Sequence, residues 1–293
     1  MQEDANLPTA SSRSFLKTPG HSTEAPPHDN CAALTSGSGQ FFGERVFEGD
    51  DIFLEEELVR RPTGKQPALQ IPEIFGVRPY AGYRNPLTRS QVARRVSTTF
   101  ATRATNGVPE VYHFESLAEY ATALDVLLDP AVFGIEVQLP PIIYRWGQSK
   151  KPRRHHFDMR ILFEDGRRRA VFVRNGRSLA KPQTKAEIDA IFRAIPEGFA
   201  DEAIVVNGDH YTRPYRDNLF RIHICLETID VEADEIVGKA ASSTNYWLLK
   251  DLIQNSGLPS ARAFGASMRL IGRGRLAVDW YSVITIHSRV RLP

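Results

Sequence analysis

The clearest alternation of apolar and polar residues lies in the middle third of the chain. Apolar residues recur at helical spacing from Leu117 to Leu128, and Asp129-Pro130 ends that pattern. The apolar run from Val132 to Val137 then predicts a strand, which Pro140-Pro141 interrupts. We therefore expect a helix followed by a strand at the start of this region.

A β-hairpin is predicted within the stretch HHFDMRILFEDGRRRAVFVRNGR. Apolar residues alternate from Phe157 to Phe163, which is typical of a half-buried strand, and the apolar run after EDG returns as its partner. A two-residue Asp-Gly turn would place Asp158 opposite Val173, whereas a three-residue loop with a left-handed Gly166 would place it opposite Phe172. The turn therefore decides which side chains share a face with Asp158.

Other elements follow from similar patterns. KAEIDAIFRAI predicts a helix, EAIVV a strand and RPYRDNLFRIH a helix, whereas RNPLTRSQVARRVSTTFATR upstream is basic and loosely helical. Near the C-terminus two helical patterns flank SGLPSA, and two apolar strands follow GRGR. Helix, turn, helix and hairpin in that order predict a winged helix-turn-helix.

The N-terminal part has a different composition. Residues 1–40 are rich in Ser, Pro, Thr, Asn and Gly, so they are expected to form a disordered tail. FEGDDIFLEEEL follows and favours a solvated acidic linker; the alternatives are a metal site, a partner-binding segment or a segment that docks on the basic part of the chain. The tail and the acidic segment together make up the predicted region 1–85.

Composition excludes several classes of protein. The chain of 293 residues is 42% hydrophobic and carries a formal net charge of +2, which does not by itself indicate a nucleic-acid binder. Cys31 and Cys225 are the only cysteines, which argues against a disulfide framework or a cysteine zinc site. The sequence has neither a long apolar run nor a hydrophobic signal core, so we expect a cytoplasmic protein without a membrane partner.

Positive charge is concentrated around the predicted hairpin. Its members are Arg145, Lys150, Lys151, Arg153, Arg154, Arg160, Arg167, Arg168, Arg169, Arg174, Arg177 and Lys181. A charge run is usually a solvated face, but this density favours contact with the phosphates of double-stranded DNA. The predicted recognition helix and wing add a second basic surface. The residues expected to bind DNA are Arg153, Arg154, Arg160, Arg168, Arg177, Arg262, Arg269 and Arg273.

The order α-β-β-β-α-β, with Glu119 on the first helix and Asp158 on the hairpin, resembles the PD-(D/E)xK restriction-endonuclease-like fold. It resembles in particular the TnsA-type endonucleases, which cut at the ends of heteromeric transposons. FESLAEYATALDVLLDPAVFGIEVQLPPIIY and HHFDMRILFEDGRRRAVFV carry the likeness, and RDNLFRI and the closing winged helix follow the family order. The resemblance extends from about Arg94 to the C-terminus.

The resemblance implies an α/β (α+β) nuclease domain with a mixed sheet flanked by helices over 86–226. A winged helix-turn-helix domain is implied over 227–293. It also implies a three-residue loop that places Asp158 opposite Phe172, with Glu119 approaching the same face. A DDE transposase and an ATPase regulator are implied as partners.

In the family pattern the strand acid and a following Glu or Gln coordinate Mg²⁺, a Lys two residues later orients water or phosphate, and the helix Glu supports the metal. Glu119 and Asp158 match and are the implied metal ligands. Phe172 and Arg174 depart from the pattern, because phenylalanine offers no oxygen and arginine cannot act as a base, although it can bind phosphate. Gln138 or Glu136 could supply a relocated ligand, which gives the candidate catalytic set Glu119, Asp158, Arg174 and Gln138.

Less specific interpretations remain open for these residues. Glu119 could be a solvated helix acid, and Asp158 could be a charge partner of Arg160 or Arg174. His155 and His156 are interpreted as strand-entry residues near phosphate.

We therefore expect a DNA-binding TnsA-like protein of a transposon or other mobile element. Its cleavage of DNA would be Mg²⁺-dependent and impaired by Phe172 and Arg174. The alternatives are a transcriptional regulator that uses the winged helix and a defence-type restriction nuclease.

Overall fold

The structure is a computed structural model that describes residues 70–86, 95–147, 151–243 and 248–293. The strands are β1 (Val96–Ala101), β2 (Pro109–Phe114), β3 (Val132–Val137), β4 (Ile142–Tyr144), β5 (Arg153–His155), β6 (Met159–Phe163), β7 (Arg168–Arg174) and β8 (Glu202–Asn207). The helices are α1 (Leu117–Val126), α2 (Gly176–Leu179), α3 (Pro182–Arg193), α4 (Arg213–Glu227), α5 (Val231–Ser243), α6 (Leu249–Asn255) and α7 (Ser260–Gly272).

A four-stranded mixed sheet in the order β3-β6-β7-β8 organises the middle of the chain. The first three strands are antiparallel to their neighbours, and β8 runs parallel to β7. Alternate residues of β7 face opposite sides, as the two-residue period of a strand requires. Val171 joins the core that contains the buried residues of α1, whereas Ala170 and Phe172 join a second apolar cluster with α3.

The predicted order of helix, strand, hairpin, helix and strand is confirmed by α1, β3, β6, β7, α3 and β8. The sequence did not predict the β4–β5 ribbon or the β1–β2 hairpin. The loosely helical interpretation of 84–103 is wrong at β1, where exposure alternates along VSTTFA as in a strand. Residues 87–94 of that stretch, and the predicted tail and acidic linker before residue 70, lie outside the described residues.

In the C-terminal part, the two predicted helices are confirmed and the predicted wing is not. Helices α6 and α7 match the predicted pair, but after α7 the described residues form only two isolated β-bridges, Leu248 with Arg289 and Ala277 with Arg291. The two predicted wing strands are therefore wrong. Helix α7 packs against α4 and α5, and its residues from Ala266 to Gly272 are buried.

The larger of the two apolar clusters extends from the sheet to the C-terminal helices. It includes Phe114 and Leu124 beside the sheet, Leu219 on α4 and Met268 on α7. Helix α4 contacts both α1 and α7, so it joins the sheet to the C-terminal helices across the predicted boundary at 226/227. None of the described helices is long and apolar enough to cross a membrane.

Candidate functional site

The β6–β7 hairpin turns through a three-residue loop, which is one of the two alternatives that the sequence left open. Met159 lies opposite Val171, and the same register continues to Leu162 opposite Arg168. The loop therefore consists of residues 164–166, and Gly166 has a φ of 85°, in the left-handed region. This register places Asp158 at the level of Phe172, as predicted.

The two strands separate at Asp158. The Asp158 N–H still donates to the Val171 carbonyl at 3.0 Å. One residue further along β7, the Val173 N–H donates to Asp158 Oδ2 at 2.7 Å, where a strand partner would otherwise offer a carbonyl. Phe157 and Met159 on either side of Asp158 belong to different core clusters, so the strand alternation is interrupted here. Asp158 is therefore a half-buried carboxylate set into the gap between diverging strands.

Glu119 reaches this site from the first turn of α1. Ser116 caps the helix by accepting from the Glu119 N–H at 3.2 Å, and Glu119 Oε2 accepts from the Glu115 N–H at 2.9 Å. This arrangement is a variant of the capping box, in which the acid accepts from the residue before the cap and from the Ser116 hydroxyl at 3.0 Å. Arg84 forms a salt bridge with Glu115 at 2.7 Å beside it. Glu119 is therefore buried in a fixed position rather than solvated, which overturns the solvated-acid alternative.

Burial disfavours ionisation of both acids. Burial raises the pKa of Glu119 to about 7. Burial also raises the pKa of Asp158 well above its usual range, and the negative charge of Glu119 adds to that rise. The Val173 N–H and Arg174 act in the opposite direction but do not cancel the rise. Two full negative charges are therefore disfavoured at this site.

Gln138 lies next to Asp158 on the neighbouring strand. Its N–H donates to the Asp158 carbonyl at 3.2 Å, and its φ of 52° is unusual for a residue other than glycine. The side chain is completely buried, and within the described residues neither amide atom has a hydrogen-bond partner. An unsatisfied buried amide in a strained backbone is an indication of a functional position.

Phe172 and Arg174 lie on the side of the sheet covered by α3. The Phe172 ring packs edge-on against His155 at 4.2 Å, and the Arg174 guanidinium lies 4.4 Å from the centre of the Phe172 ring. Burial, followed by the charge of Arg174, lowers the pKa of His155 to about 4. The expectation that Glu119 and Phe172 share a face of the hairpin is therefore wrong. The next residue of β7, Val173, packs against the core that contains the buried residues of α1.

Glu136 does not take part in the carboxylate pair. Its Oε2 accepts from Arg160 Nε at 2.5 Å, and Arg160 also donates to the Phe199 carbonyl at 2.7 Å. This contact removes Arg160 as the charge partner of Asp158. It also makes Glu136 a poor relocated metal ligand.

The donor set does not fit a magnesium site as it stands. Two carboxylates with raised pKa values are present, and Phe172, which the resemblance aligns with a third ligand, offers no oxygen. Within the part of the chain that the structure describes, no three His, Cys, Asp or Glu side chains are grouped to hold a metal ion. Gln138, whose backbone N–H bonds to Asp158, has a side-chain oxygen without a partner among the described residues.

The basic residues of the hairpin lie at its two ends: the loop end, next to residues 164–166, and the site end, next to Asp158. At the loop end, Arg167 pairs with Asp165 at 2.6 Å and Arg169 pairs with Glu202 at 2.6 Å. Arg168 also lies at this end, separated from Arg174 by the length of β7, or about 20 Å. The predicted single cluster around the hairpin is therefore wrong.

The site end carries three arginines without an acidic partner. Arg154, Arg174 and Arg177 are exposed and form no ion pair among the described residues, and Arg168 at the loop end also lacks one. Arg153 is held by Glu187 at 2.9 Å. Of these cations, Arg174 is the one whose charge acts on Asp158.

The predicted DNA-binding arginines of the C-terminal helices are engaged internally. Arg269 is 3% exposed, and its Nε donates to Asp234 at 2.7 Å, so its assignment to DNA contact is wrong. Arg273 pairs with the same Asp234 at 2.5 Å. Arg262 pairs with Asp230 at 2.7 Å and with Glu232. Helix α7 therefore offers little free positive charge.

Two polar residues at the site end, Asp209 and His210, were not predicted from the sequence. β7 and β8 are parallel, so both strands end at the edge where Asp158 lies. There Asp209 accepts from the Gly176 N–H at 2.8 Å, and His210 is hydrogen-bonded to Tyr281 at 2.8 Å. The signal that could have found them is the polar stretch NGDH directly after the strand EAIVV.

The chain matches no protein-family model, and a search of curated proteins returned no match. The likeness to TnsA-type endonucleases therefore rests on the motifs and their order in this chain.

Proposed function

We propose that this chain is a DNA-binding protein of a transposon or other mobile element, with a TnsA-like endonuclease fold whose cleavage site is impaired. The observation that carries the proposal is the position of Asp158 in the gap between β6 and β7. Glu119 approaches it from one side, and Arg174 lowers its pKa from nearby. A paired-carboxylate site beside free cations is the arrangement that phosphodiester chemistry requires.

The free arginines of the site end would hold the DNA backbone. Arg174 presents a planar fork that suits a phosphate, and its contact with the Phe172 ring orients the guanidinium. Arg154 on β5 and Arg177 on α2 add charge without an acid to compensate it. Contacts of this kind position a duplex and are independent of its sequence.

Impaired cleavage follows from the donors. Magnesium requires hard oxygen ligands, and bound Mg²⁺ would neutralise charge on the phosphate and activate a water molecule. Burial raises the pKa values of Glu119 and Asp158, which disfavours the charged forms that bind a cation, and Phe172 supplies no third oxygen. Within this proposal the site retains DNA binding and loses most of its chemistry.

The burial of α7 weighs against the main alternative. A transcriptional regulator with a winged helix must expose its recognition helix to the major groove. Eight of the residues of α7 are instead buried, including Arg269. The partners implied by the resemblance, a DDE transposase and an ATPase regulator, remain part of the proposal.

DNA affinity at several salt concentrations tests the binding half of this proposal. Fluorescence anisotropy with a labelled duplex should give a log-log slope of about −0.9 per phosphate neutralised. Arg154→Ala with Arg177→Ala should weaken binding to unrelated sequences equally and make the slope shallower by about 2. The control is Arg167→Ala, which removes an exposed arginine held by Asp165 and should have a smaller effect. An unchanged dissociation constant in the double variant would contradict the proposal.

A further inference from the structure

The β4–β5 ribbon has an outer face that combines an exposed apolar side chain with an arginine. Ile143 and Arg154 lie opposite each other in the ribbon, so their side chains share one face. Ile142 and Tyr144 alternate with Ile143 and are buried. Because successive residues of a strand point to opposite faces, the face that carries Ile143 is turned to solvent. Ile143 is accordingly 53% exposed.

Two further residues extend this surface. Tyr83 is 64% exposed, and its ring centre lies 6.1 Å from that of His156, two residues after Arg154. Arg145 directly follows β4 and is exposed. Neither Arg145 nor Arg154 forms an ion pair among the described residues. Together Tyr83, Ile143, Arg145 and Arg154 make up the ribbon patch, which offers apolar area and uncompensated positive charge to the same occupant.

The sequence contains a segment that complements the ribbon patch in both respects. Residues 48–57 have the sequence EGDDIFLEEE and lie outside the described residues. They include six acidic residues and no lysine or arginine, and the acids stand on both sides of an apolar centre formed by Ile52, Phe53 and Leu54. Opposite charge selects a partner and fixes its register on a surface, while apolar contact adds affinity.

The chain between this segment and the described structure is long enough to allow the contact. Twelve residues separate Glu57 from Gln70, where the described structure begins. Fully extended, they span about 40 Å, close to the diameter of a domain of roughly 200 residues. A short tether gives an effective concentration on the order of 1 mM, so a contact that is weak between separate molecules can still be occupied within one chain.

We infer that residues 48–57 dock on the ribbon patch of the same chain, with Phe53 and Leu54 against Ile143 and the acids beside Arg145 and Arg154. Arg154 is one of the arginines that would hold the DNA backbone, so the docked segment and DNA compete for it. The competition rests on the proposed function, whereas the docking does not. The segment thus acts as an internal competitor that DNA must displace.

Site-specific photo-cross-linking in the full chain tests the docking without DNA. Phe53→p-benzoylphenylalanine should form cross-links within one chain to peptides that contain Tyr83 or Ile143. Phe42→p-benzoylphenylalanine is the matched control, because position 42 lies in the same part of the chain but outside the segment. Adding Ile143→Ser should reduce the cross-link from position 53. Adding Ile224→Ser, which changes an exposed isoleucine on α4, should leave it unchanged.

DNA affinity of variants that keep every charge tests the competition. Phe53→Ala with Leu54→Ala removes apolar contact alone, so tighter DNA binding cannot come from weaker repulsion of phosphate. This double variant should bind a labelled duplex about fivefold more tightly than the wild type. Phe41→Ala with Phe42→Ala should bind like the wild type. Ile143→Ser should also bind more tightly, and combining it with the Phe53 and Leu54 changes should add nothing further.

The two readouts separate the docking from the proposed function. Cross-links from position 53 to the ribbon within one chain, absent from position 42, support the docking, and tighter duplex binding by the Phe53→Ala, Leu54→Ala variant supports the competition. Cross-links that join two chains, or that reach only other parts of the chain, overturn the inference. If the ribbon is not cross-linked while a duplex still binds, the proposed function stands alone. If the ribbon is cross-linked and no duplex binds, the docking stands and the proposed function fails. Unchanged duplex affinity in the double variant overturns the competition.

Discussion

Asp158 and Phe172 lie at the same level of one hairpin, yet their side chains belong to different environments. Asp158 accepts a hydrogen bond from the Val173 N–H at 2.7 Å in the gap between the strands. Phe172 is 4% exposed and packs against His155 in the apolar cluster of α3. Phe172 is therefore a core residue at a position where the resemblance to TnsA-type endonucleases implies a metal ligand.

Replacing Phe172 with an acid, together with Arg174→Lys, should not create a tight metal site, because the side chain at position 172 faces the α3 cluster and not the side of Glu119. Phe172→Glu would instead bury a carboxylate next to His155. Isothermal titration with Mn²⁺ should therefore show equally weak binding by this double variant and by the control, Phe172→Leu with Arg174→Lys, which changes the ring without adding oxygen. Tighter Mn²⁺ binding by the Phe172→Glu variant alone would show that position 172 is a ligand position.

The contribution of Glu119 to the free energy of unfolding should fall between pH 5 and pH 8, against the opposite contribution of the histidines whose pKa values burial lowers. Burial raises the pKa of Glu119 from 4.5 to about 7, so the folded state binds more protons than the unfolded state in this interval. The stabilisation is complete below pH 4.5 and is lost as pH rises through 7. Asp158 acts in the same direction.

Urea unfolding at several pH values checks this expectation. Glu119→Gln keeps an acceptor for the Glu115 N–H and removes the ionisation, so the stability of the wild type relative to this variant should fall as pH rises from 5 to 8. Glu235→Gln on the exposed face of α5 should keep the wild-type dependence. The same pH dependence in Glu119→Gln and the wild type would show that this carboxyl titrates normally.

Arg269 should matter for stability and not for DNA affinity. Its buried guanidinium is bonded to Asp234, and loss of one partner from a buried ion pair destabilises a protein by about 3–5 kcal/mol. Arg269→Ala should therefore unfold at a much lower urea concentration. Arg275→Ala removes a nearby exposed arginine and should change the unfolding midpoint little. A folded Arg269→Ala with normal stability and weakened DNA binding would restore this residue as a DNA contact.

The sequence predicted elements well where their signal was local. The helical spacing before Asp129-Pro130 and the alternation after Phe157 each lie within one element, so α1 and β6 could be identified directly. β4 and β5 have three residues each and exist through pairing between Ile142 and His155, which local periodicity does not show. The strand β1 was not recognised because the residues around it are basic.

The site was harder to predict because its geometry depends on tertiary contacts. The interruption at Asp158 arises where β6 and β7 separate, and the sequence gives no sign of that point. The two-residue period of β7 sets Phe172 and Val173 on opposite faces, but only the packed helices show that α1 covers Val173. Similarly, Arg269 has its partner 35 residues earlier in the chain, so its burial could not be inferred.

Nicking of supercoiled plasmid in Mg²⁺ or Mn²⁺ tests most directly the proposal that this chain binds DNA and has an impaired cleavage site. The Asp158→Ala variant gives the level of nicking that is independent of the site, because it lacks the carboxylate on which the site depends. We expect the wild type to convert no more plasmid to the open circular form than Asp158→Ala does, while a labelled duplex still binds. Efficient nicking by the wild-type protein that Asp158→Ala abolishes would contradict the account.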